Sequence, residues 1–434
     1  MLNGVYAMGS IPSRLWGWAW RLAILSLPWQ TRWFQEGMRI DGLPWEQGRI
    51  SVYGSWILLI VVIILSSALP SRIKSRVMSL RERCRFLFSL LLCLLPFILS
   101  ISARASGIWV MNVLIVTAFF YALYRQQLHS ESVIKWAVLA LIPQVFLGGY
   151  QFLSQHVVGS TWLGMSSQYP EIRGVSVIET AGNRILRAYG GFPHPNIFGG
   201  WLAVSIPWIW LFIMRAKHRV AMVWMALSFV FIACLALTFS RSAWIATACM
   251  GVLAFRYFLH STTNRRRLWV MSILAIISFS LVLVGYHSLF VTRLSLQGRL
   301  ETRSVNERFE SLRHGKEIFL KHPFVGIGPG TTILGLSQAQ VLPPIPTHFI
   351  PLMMMMELGV LGIFGFLMIG WICLRRLPPR ISLLRSWAVV PLTAIGVLSL
   401  FDHYLWSLWP GQALSALLVF LIMSEHSIAN SARS

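Results

Sequence analysis

The chain has 434 residues, of which 56% are hydrophobic and only 12% charged, and its mean hydropathy is +0.66. Soluble domains carry about 25% charged residues, so this composition excludes an ordinary soluble enzyme and indicates a polytopic membrane protein. The formal net charge is +23, but most basic residues stand in short stretches between apolar segments. Such stretches set membrane topology, and we therefore expect no nucleic-acid partner.

Twelve apolar segments are candidates for membrane spans, each of which needs about 20 apolar residues. They are residues 12–29, 52–70, 84–102, 106–124, 133–153, 196–214, 219–239, 241–259, 268–288, 348–374, 384–401 and 404–424. No small-residue cleavage site follows the first, so we interpret it as an uncleaved helix. The predicted fold is all-α: a polytopic transmembrane helix bundle of about twelve spans, with residues 1–434 forming a single membrane domain.

Every second short connection is basic, which places these connections in the cytoplasm by the positive-inside rule. They lie near residues 71–85, 125–135, 215–219, 265–267 and 375–385. Both termini are then expected to be cytoplasmic. Two long polar segments face the outside, a first outer loop at 154–195 and a large outer loop at 289–346. Within the second, apolar residues at helical spacing, such as Phe309, Leu312 and Phe319, predict an amphipathic helix.

The uncommon polar side chains gather at the predicted outer ends of helices or in the outer loops. They are Arg187, His194, Arg241, Arg308, Arg313, His348 and Asp402. Although they come from distant parts of the chain, this topology allows them to meet on one face. The plainer interpretation is that the arginines anchor or snorkel to the membrane surface and the histidines are loop residues. Near Arg187, we expect Asn196 to cap the helix that it opens.

His348 precedes a span that contains a single glutamate, Glu357. The nine positions between them correspond to about 180° around an ideal helix and roughly 13 Å along it, so the two cannot form a simple acid/base pair. Asp402, at the outer end of another span, is the first candidate partner of His348. Three glycines, Gly359, Gly362 and Gly365, permit close helix packing. We interpret the adjacent methionines as packing residues and expect no metal.

Four short patterns, in this order, resemble the O-antigen ligase and polysaccharide polymerase family of integral membrane glycosyltransferases. The first two are a G-x-x-x-x-N loop from Gly191 to Asn196 and a T-x-S-R turn from Thr238 to Arg241. The third is an E-R helix, at Glu307-Arg308, followed by P-x-x-G-x-G from Pro323 to Gly328. The fourth is a histidine, His348, followed by E-x-G-x-x-G at Glu357, Gly359 and Gly362. The resemblance extends from about residue 15 to residue 424.

The resemblance implies an enzyme on the outer face of the inner membrane that moves a glycan from undecaprenyl-pyrophosphate to a hydroxyl of a lipid or glycan acceptor. Transfer is then inverting and independent of metal or other cofactors. The resemblance implies His348 as the base and outward arginines as clamps on the pyrophosphate, with Arg241 and Arg308 matching the motif positions best. From their positions we add Arg187 and Arg313 as candidate clamps and Asp402 as the catalytic partner of His348. One departure is Phe349, where family members often have asparagine.

The implied roles agree with the chemistry. Arginine forks stabilise a pyrophosphate leaving group without a metal, and histidine titrates in the range of a base that activates an alcohol. Several alternatives remain open. A ligase attaches a finished chain, whereas a polymerase of the same family extends it. A polysaccharide or lipid transporter needs polar residues near the bilayer midplane, for which Glu357 is the main candidate, and a non-catalytic envelope scaffold needs none of these residues.

Overall fold

The computed structural model describes residues 11–431 except for 36, 38, 41, 73–78, 181, 260–264, 296–297, 342–343 and 376–388. The helices are α1 Ile11–Ser26, α2 Gly54–Ser67, α3 Leu80–Ile98, α4 Ala103–Arg125, α5 Ser130–Ser154, α6 Pro195–Arg215, α7 His218–Leu237, α8 Arg241–Leu259, α9 Arg265–Gly285, α10 His287–Ser295, α11 Arg299–Lys321, α12 Thr332–Gln338, α13 Ile350–Arg375, α14 Val389–Phe401, α15 Tyr404–Ser407 and α16 Trp409–Ser431. The strands are β1 Arg32–Phe34, β2 Arg39–Ile40, β3 Leu43–Pro44, β4 Ser51–Tyr53, β5 Val177–Thr180 and β6 Asn183–Leu186. They pair antiparallel, β1 with β4, β2 with β3 and β5 with β6.

The predicted helical architecture is confirmed, since each of the twelve apolar segments overlaps a helix. Residues 384–388 of the eleventh segment lie outside the described residues. Among the described residues, six helices are long and apolar enough to cross a membrane: Ala103–Arg125, Ser130–Ser154, Pro195–Arg215, His218–Leu237, Arg265–Gly285 and Ile350–Ile372. Shorter apolar helices cover Gly54–Ser67, Leu392–Phe401 and Trp409–Ser424. The count of twelve spans stays a prediction.

The central element is α6, which is buried on almost all sides. Its fully buried side chains include Phe198, Trp201 and Trp208, and it packs against helices α5, α7, α8, α14 and α16. A helix that is apolar all round must be surrounded by protein or lipid, and here protein surrounds it. The residues at its N-terminus therefore lie inside the molecule, where helices from both halves of the chain converge.

The amphipathic helix predicted in the 289–346 segment is α11. Its buried positions include Glu301, Ser311, Gly315 and Ile318, whereas Phe309 on another face is 69% exposed. The helix packs against α13, and a Cβ on Gly315 would stand 2.9 Å from Met356 Sδ. The buried face of α11 thus lies over the N-terminal half of α13. That this segment faces the outside stays a prediction.

Helix α13 begins at Ile350 and is interrupted at Gly359, where φ is 61° and ψ is −176°. The predicted span at 348–374 corresponds to this helix, whose segment Ile350–Ile372 is long and apolar enough to cross a membrane, but the expectation that Gly359 packs against a helix is wrong. A Cβ on Gly359 would lie 2.4 Å from the Phe324 carbonyl oxygen. Gly359 therefore makes room for a neighbouring backbone segment. Gly362 and Gly365 do serve helix packing, against Pro96 and Ser89 of α3.

The segment that fills this break is 323–328, which follows α11. Its Ile327 and Gly328 N–H groups donate to the carbonyls of Met356 and Glu357, each at 2.9 Å. In return, the N–H groups of Val360 and Leu361 donate to the carbonyls of Pro323 and Phe324, at 2.9 and 3.0 Å. Irregular backbone at membrane depth is tolerated only where protein satisfies it. The P-x-x-G-x-G and E-x-G-x-x-G patterns therefore form one interlocked unit.

Candidate active site

His348 and Asp402 come together as the sequence suggested. His348 stands two residues before α13 and Asp402 directly follows α14, and His348 Nδ1 lies 3.5 Å from Asp402 Oδ1. The His348 side chain is 27% exposed, whereas that of Asp402 is only 6% exposed. The imidazole is accordingly reachable from outside the protein, and the carboxylate is buried behind it.

Asp402 is held in place from two other directions. Asn196 Nδ2 donates a 2.8 Å hydrogen bond to Asp402 Oδ2, and the backbone N–H of His403 donates a 2.9 Å bond to Oδ1. Burial opposes the charge on Asp402, but the imidazole of His348 and the nearby rings of His403 and His194 hold the pKa of this carboxyl below its usual range. A fixed, ionised carboxylate therefore faces His348 at neutral pH.

Arg187 lies behind this carboxylate and contacts it through Asn196. Arg187 Nη2 donates to Asn196 Oδ1 at 2.6 Å, and Arg187 Nε donates to the Thr238 carbonyl at 2.7 Å. Burial, followed by repulsion from Arg293, lowers the pKa of Arg187 to about 9. The guanidinium thus stays charged at neutral pH, and two of its nitrogens already bond to the protein.

His194, and not Asn196, caps helix α6. The expectation that Asn196 is the cap is wrong because the helix begins one residue earlier, at Pro195, and His194 Nδ1 accepts the 3.1 Å hydrogen bond from the Asn196 N–H. The other ring nitrogen, Nε2, lies 2.8 Å from Ser176 Oγ. Burial and the nearby charge of Arg187 lower the pKa of His194 to about 3. A neutral His194 therefore frees the Asn196 side chain to link Arg187 with Asp402.

Arg241 and Arg308 are two partly buried arginines with unused hydrogen-bonding capacity. Arg241 Nη2 lies 3.7 Å from Glu301 Oε2, too far for a hydrogen bond, and Arg241 Nη1 donates weakly to the Arg293 carbonyl at 3.4 Å. Arg241 Nη2 and Arg308 Nε are both buried without a hydrogen-bond partner. Burial lowers the pKa of Arg308, against the opposing attraction of Asp402. Unpaired buried N–H donors cost free energy, so both groups can still donate to a further acceptor.

Sequence reasoning missed the pair that supports these arginines, Arg293 and Glu301. Arg293 Nη1 donates to both carboxylate oxygens of Glu301, at 2.7 and 2.6 Å, and Arg293 Nε donates to the Phe239 carbonyl at 3.0 Å. Glu301 is only 2% exposed. A sequence signal did exist, because Glu301 precedes Arg308 by seven residues and therefore lies on the same face of α11.

Arg313 is not brought into this group. It is exposed, and its Nε lies 3.4 Å from Glu317 Oε1 on the same helix. Five residues separate it from Arg308, which corresponds to about 140° around the helix. Because Arg308 points toward the buried face of α11, Arg313 must point away from it. The arginines that meet near Asp402 and Glu301 are Arg187, Arg241, Arg293 and Arg308.

Within the described residues, one group has the donor set of a metal site. Nitrogen or oxygen atoms of His348, Asp402 and His403 lie within 4.8 Å of one another. Two imidazoles and a carboxylate are ligands that zinc accepts. However, both oxygens of Asp402 already accept hydrogen bonds from Asn196 and from the His403 backbone, and His403 Nδ1 lies 2.6 Å from Ser407 Oγ. The protein itself thus occupies much of the coordination that a cation would use.

Glu357, which the sequence left unexplained, is part of the interlocked backbone unit. It is 1% exposed and accepts hydrogen bonds from Thr332 Oγ1 at 2.6 Å, from the Thr332 N–H at 3.2 Å and from Trp406 Nε1 at 2.7 Å. Three donors around one carboxylate explain why a glutamate is retained in an apolar helix. Its contacts tie α13 to α12 and α15.

Comparison with known families now bears on these residues, because residues 226–367 match the sequence model of the family described as O-Antigen ligase. The resemblance to the O-antigen ligase and polymerase family is confirmed. The match contains Arg241, Arg308 and His348, whereas Arg187 and Asp402 lie outside it. No curated protein and no solved structure matches the chain. Its apolar helices and this match together indicate a multi-pass membrane protein with a region similar to O-antigen ligases.

Proposed function

We propose that this protein is a glycosyltransferase that moves a glycan from undecaprenyl-pyrophosphate to an acceptor hydroxyl at the outer face of the inner membrane. The observation that carries the proposal is the 3.5 Å contact between His348 Nδ1 and Asp402 Oδ1, beside two arginines whose buried N–H groups lack hydrogen-bond partners. A base and an anion site side by side are the two elements that this transfer requires.

His348 acts as the base in this mechanism. His348 Nδ1 has no hydrogen-bond partner among the described residues and lies 3.5 Å from Asp402 Oδ1. When its proton turns toward this carboxylate on substrate binding, His348 Nε2 accepts the proton of the acceptor hydroxyl. The acceptor oxygen then attacks the anomeric carbon from the side opposite the carrier, and the configuration inverts. Asp402 stabilises the imidazolium that forms, as carboxylates do in other histidine-based sites.

Arg241 and Arg308 act on the leaving group. As the bond between the anomeric carbon and the phosphate oxygen breaks, its electron pair stays with the pyrophosphate, and negative charge grows on the terminal phosphate oxygens. Guanidinium groups that are already held in place stabilise such charge without reorganising. Glu301 and Arg293 hold Arg241 in position, while Arg187 serves Asp402 through Asn196 and is a positioning residue.

The test is transfer in proteoliposomes that contain purified protein, a polyprenyl-pyrophosphate glycan and an acceptor. We expect His348→Ala, Arg241→Ala and Arg308→Ala each to abolish transfer while membrane insertion remains normal, and wild-type transfer to persist in EDTA. Product size separates the two activities of the family: one added chain indicates a ligase and a ladder indicates a polymerase. Wild-type turnover in the histidine variant would overturn the mechanism.

A transporter is the second function to separate experimentally. It predicts that Glu357→Gln stops activity while His348→Ala has no effect. Glu357 is fully engaged by Thr332 and Trp406, which favours a structural role for it. The proposed outward orientation is tested with Arg313→Cys, whose exposed position makes it reactive to a membrane-impermeant maleimide added to intact spheroplasts.

A further inference from the structure

A second candidate site lies along another face of α11, in an open groove of about 720 Å³. Its walls carry polar side chains from successive turns of the helix, among them Thr302, Asn306 and Glu310. Its other side is apolar and is formed by Val341 and Ile345, which are half-buried in the segment between α12 and α13, whereas Leu336 of α12 is buried. None of the roles assigned above to the catalytic residues involves this groove.

The charges that line the groove are balanced. Arg303 Nε donates to Glu307 Oε1 at 2.6 Å, and His314 Nε2 lies 3.5 Å from Glu310 Oε2. At one end, Arg299 donates to Glu179 at 2.8 Å. The arginine group around Arg308 is different, because four arginines there face only two carboxylates. An anion such as pyrophosphate is attracted to that group, whereas the groove offers a neutral ligand many donors and acceptors.

The groove also leads to the proposed reaction centre. Ile345 precedes His348 by three residues, and three extended residues span at most about 11 Å. On α11, the groove residues and Arg308 lie on different faces, because consecutive helix residues are about 100° apart. A molecule at the Ile345 end of the groove therefore lies within about 11 Å of the proposed base along the chain.

We propose that this groove binds a sugar chain. Carboxylate, amide and guanidinium groups along one wall match the hydroxyl groups of successive sugars, and the apolar side chains of Val341 and Ile345 suit the C–H faces of the rings. The inference rests on the proposed function, since it assigns the glycan of that reaction to a place. The chain belongs either to the lipid-linked donor or to a glycan acceptor, which present the same chemistry.

Asn306→Trp, which fills the groove, tests this proposal beside Lys316→Trp, an exposed position ten residues along α11 and outside the groove. Transfer kinetics are measured while varying either a donor with several sugar repeats or a glycan acceptor. We expect Asn306→Trp to raise the KM for either the donor or the glycan acceptor by at least about 10-fold. The substrate whose KM rises is the one whose sugar chain lies in the groove. Lys316→Trp is expected to leave both KM values unchanged. Unchanged KM in both arms for Asn306→Trp would overturn the proposal.

A binding measurement separates this proposal from the proposed function. The probe is free oligosaccharide released by mild acid from the host's own lipid-linked glycan, titrated into the purified protein by calorimetry. If wild-type protein transfers nothing, the proposed function fails, and the groove is judged by binding alone. Binding by wild type and Lys316→Trp but not by Asn306→Trp supports a sugar site in the groove. No binding by wild type overturns it. Asn306→Ala, with an expected loss of about 5-fold, replaces a tryptophan variant that fails to fold.

Discussion

Asn196 Nδ2 donates a 2.8 Å hydrogen bond to Asp402 Oδ2, and this bond joins the N-terminus of the central helix to the segment after α14. Asn196 in turn accepts from Arg187, which is fixed by the Thr238 carbonyl. The carboxylate is therefore oriented by a continuous polar chain through the interior. Its other oxygen has little freedom to turn away from His348.

Replacing Asp402 by asparagine is expected to lower kcat by about 100-fold or more. The amide is neutral and cannot stabilise the imidazolium that forms on His348 during proton transfer.

Asn196→Ala leaves the charge on Asp402 and removes only the orienting hydrogen bond, so we expect kcat to fall by about 10-fold, with an unchanged KM for the donor. Steady-state transfer in proteoliposomes measures both variants, and wild-type kcat in Asp402→Asn would exclude a catalytic role for this carboxylate.

Arg241→Lys and Arg308→Lys test the pyrophosphate clamp. Lysine keeps the charge but lacks the planar fork, so each variant is expected to lower kcat by about 10-fold or more and to weaken inhibition by inorganic pyrophosphate by a similar factor. Arg313→Lys is the matched control, because this exposed residue pairs only with Glu317 among the described contacts. If all three variants respond equally to pyrophosphate, the clamp assignment fails.

The sequence predicted the helices and part of the site for a physical reason. Apolar runs of span length and polar residues at their ends are local patterns, and they placed His348, Asp402, Arg241 and Arg308 where they could meet on one face. Sequence reasoning failed where the role of a residue depends on a partner distant in the chain. Glu301 stands in a helix rich in charged residues and resembles a solvated residue, although it is buried against Arg293.

Two further failures have the same origin. A glycine in an apolar helix is common, so nothing in the sequence around Gly359 signals the break, which exists because segment 323–328 supplies hydrogen bonds from elsewhere. The cap of α6 was assigned to Asn196 because asparagine is a good cap. The structure uses that amide for Asp402 instead, and His194 takes over the cap.

The stability of the protein is expected to fall as pH decreases below about 6.5, the usual pKa of an unfolded histidine. Burial lowers the pKa of His194 to about 3 in the folded state and that of His403 to about 4. The unfolded chain therefore binds more protons across this window, and acidification favours unfolding. Thermal unfolding in detergent at pH 7.5 and pH 5.0 measures the effect.

His194→Asn is the informative variant for this pH dependence. Asparagine still caps α6 but does not titrate, so the difference in Tm between the two pH values should shrink by about 2 °C or more. An unchanged difference would show that His194 contributes nothing to acid sensitivity.

Glu357→Gln is expected to reduce stability while sparing catalysis. Glutamine has one acceptor oxygen where the carboxylate serves Thr332 and Trp406 with two, so one buried donor loses its partner at a cost of about 1–3 kcal/mol. The measurements are Tm in detergent and kcat in proteoliposomes. A normal Tm together with lost activity would contradict the structural role and favour a transport function.

Gly359→Ala should be among the most destabilising small substitutions in α13. Its Cβ would lie 2.4 Å from the Phe324 carbonyl oxygen, at a φ that alanine avoids. Relief requires segment 323–328 to move away, which leaves the N–H groups of Val360 and Leu361 without partners. We expect the free energy of unfolding to fall by about 2 kcal/mol or more, measured as a lower Tm.

Gly370→Ala on the same helix is the control, since no atom lies within 4 Å of its added Cβ and alanine favours a helix by about 0.5–1 kcal/mol. Equal Tm values for the two variants would mean that the break at Gly359 does not hold the N-terminal half of α13, and with it His348, in place.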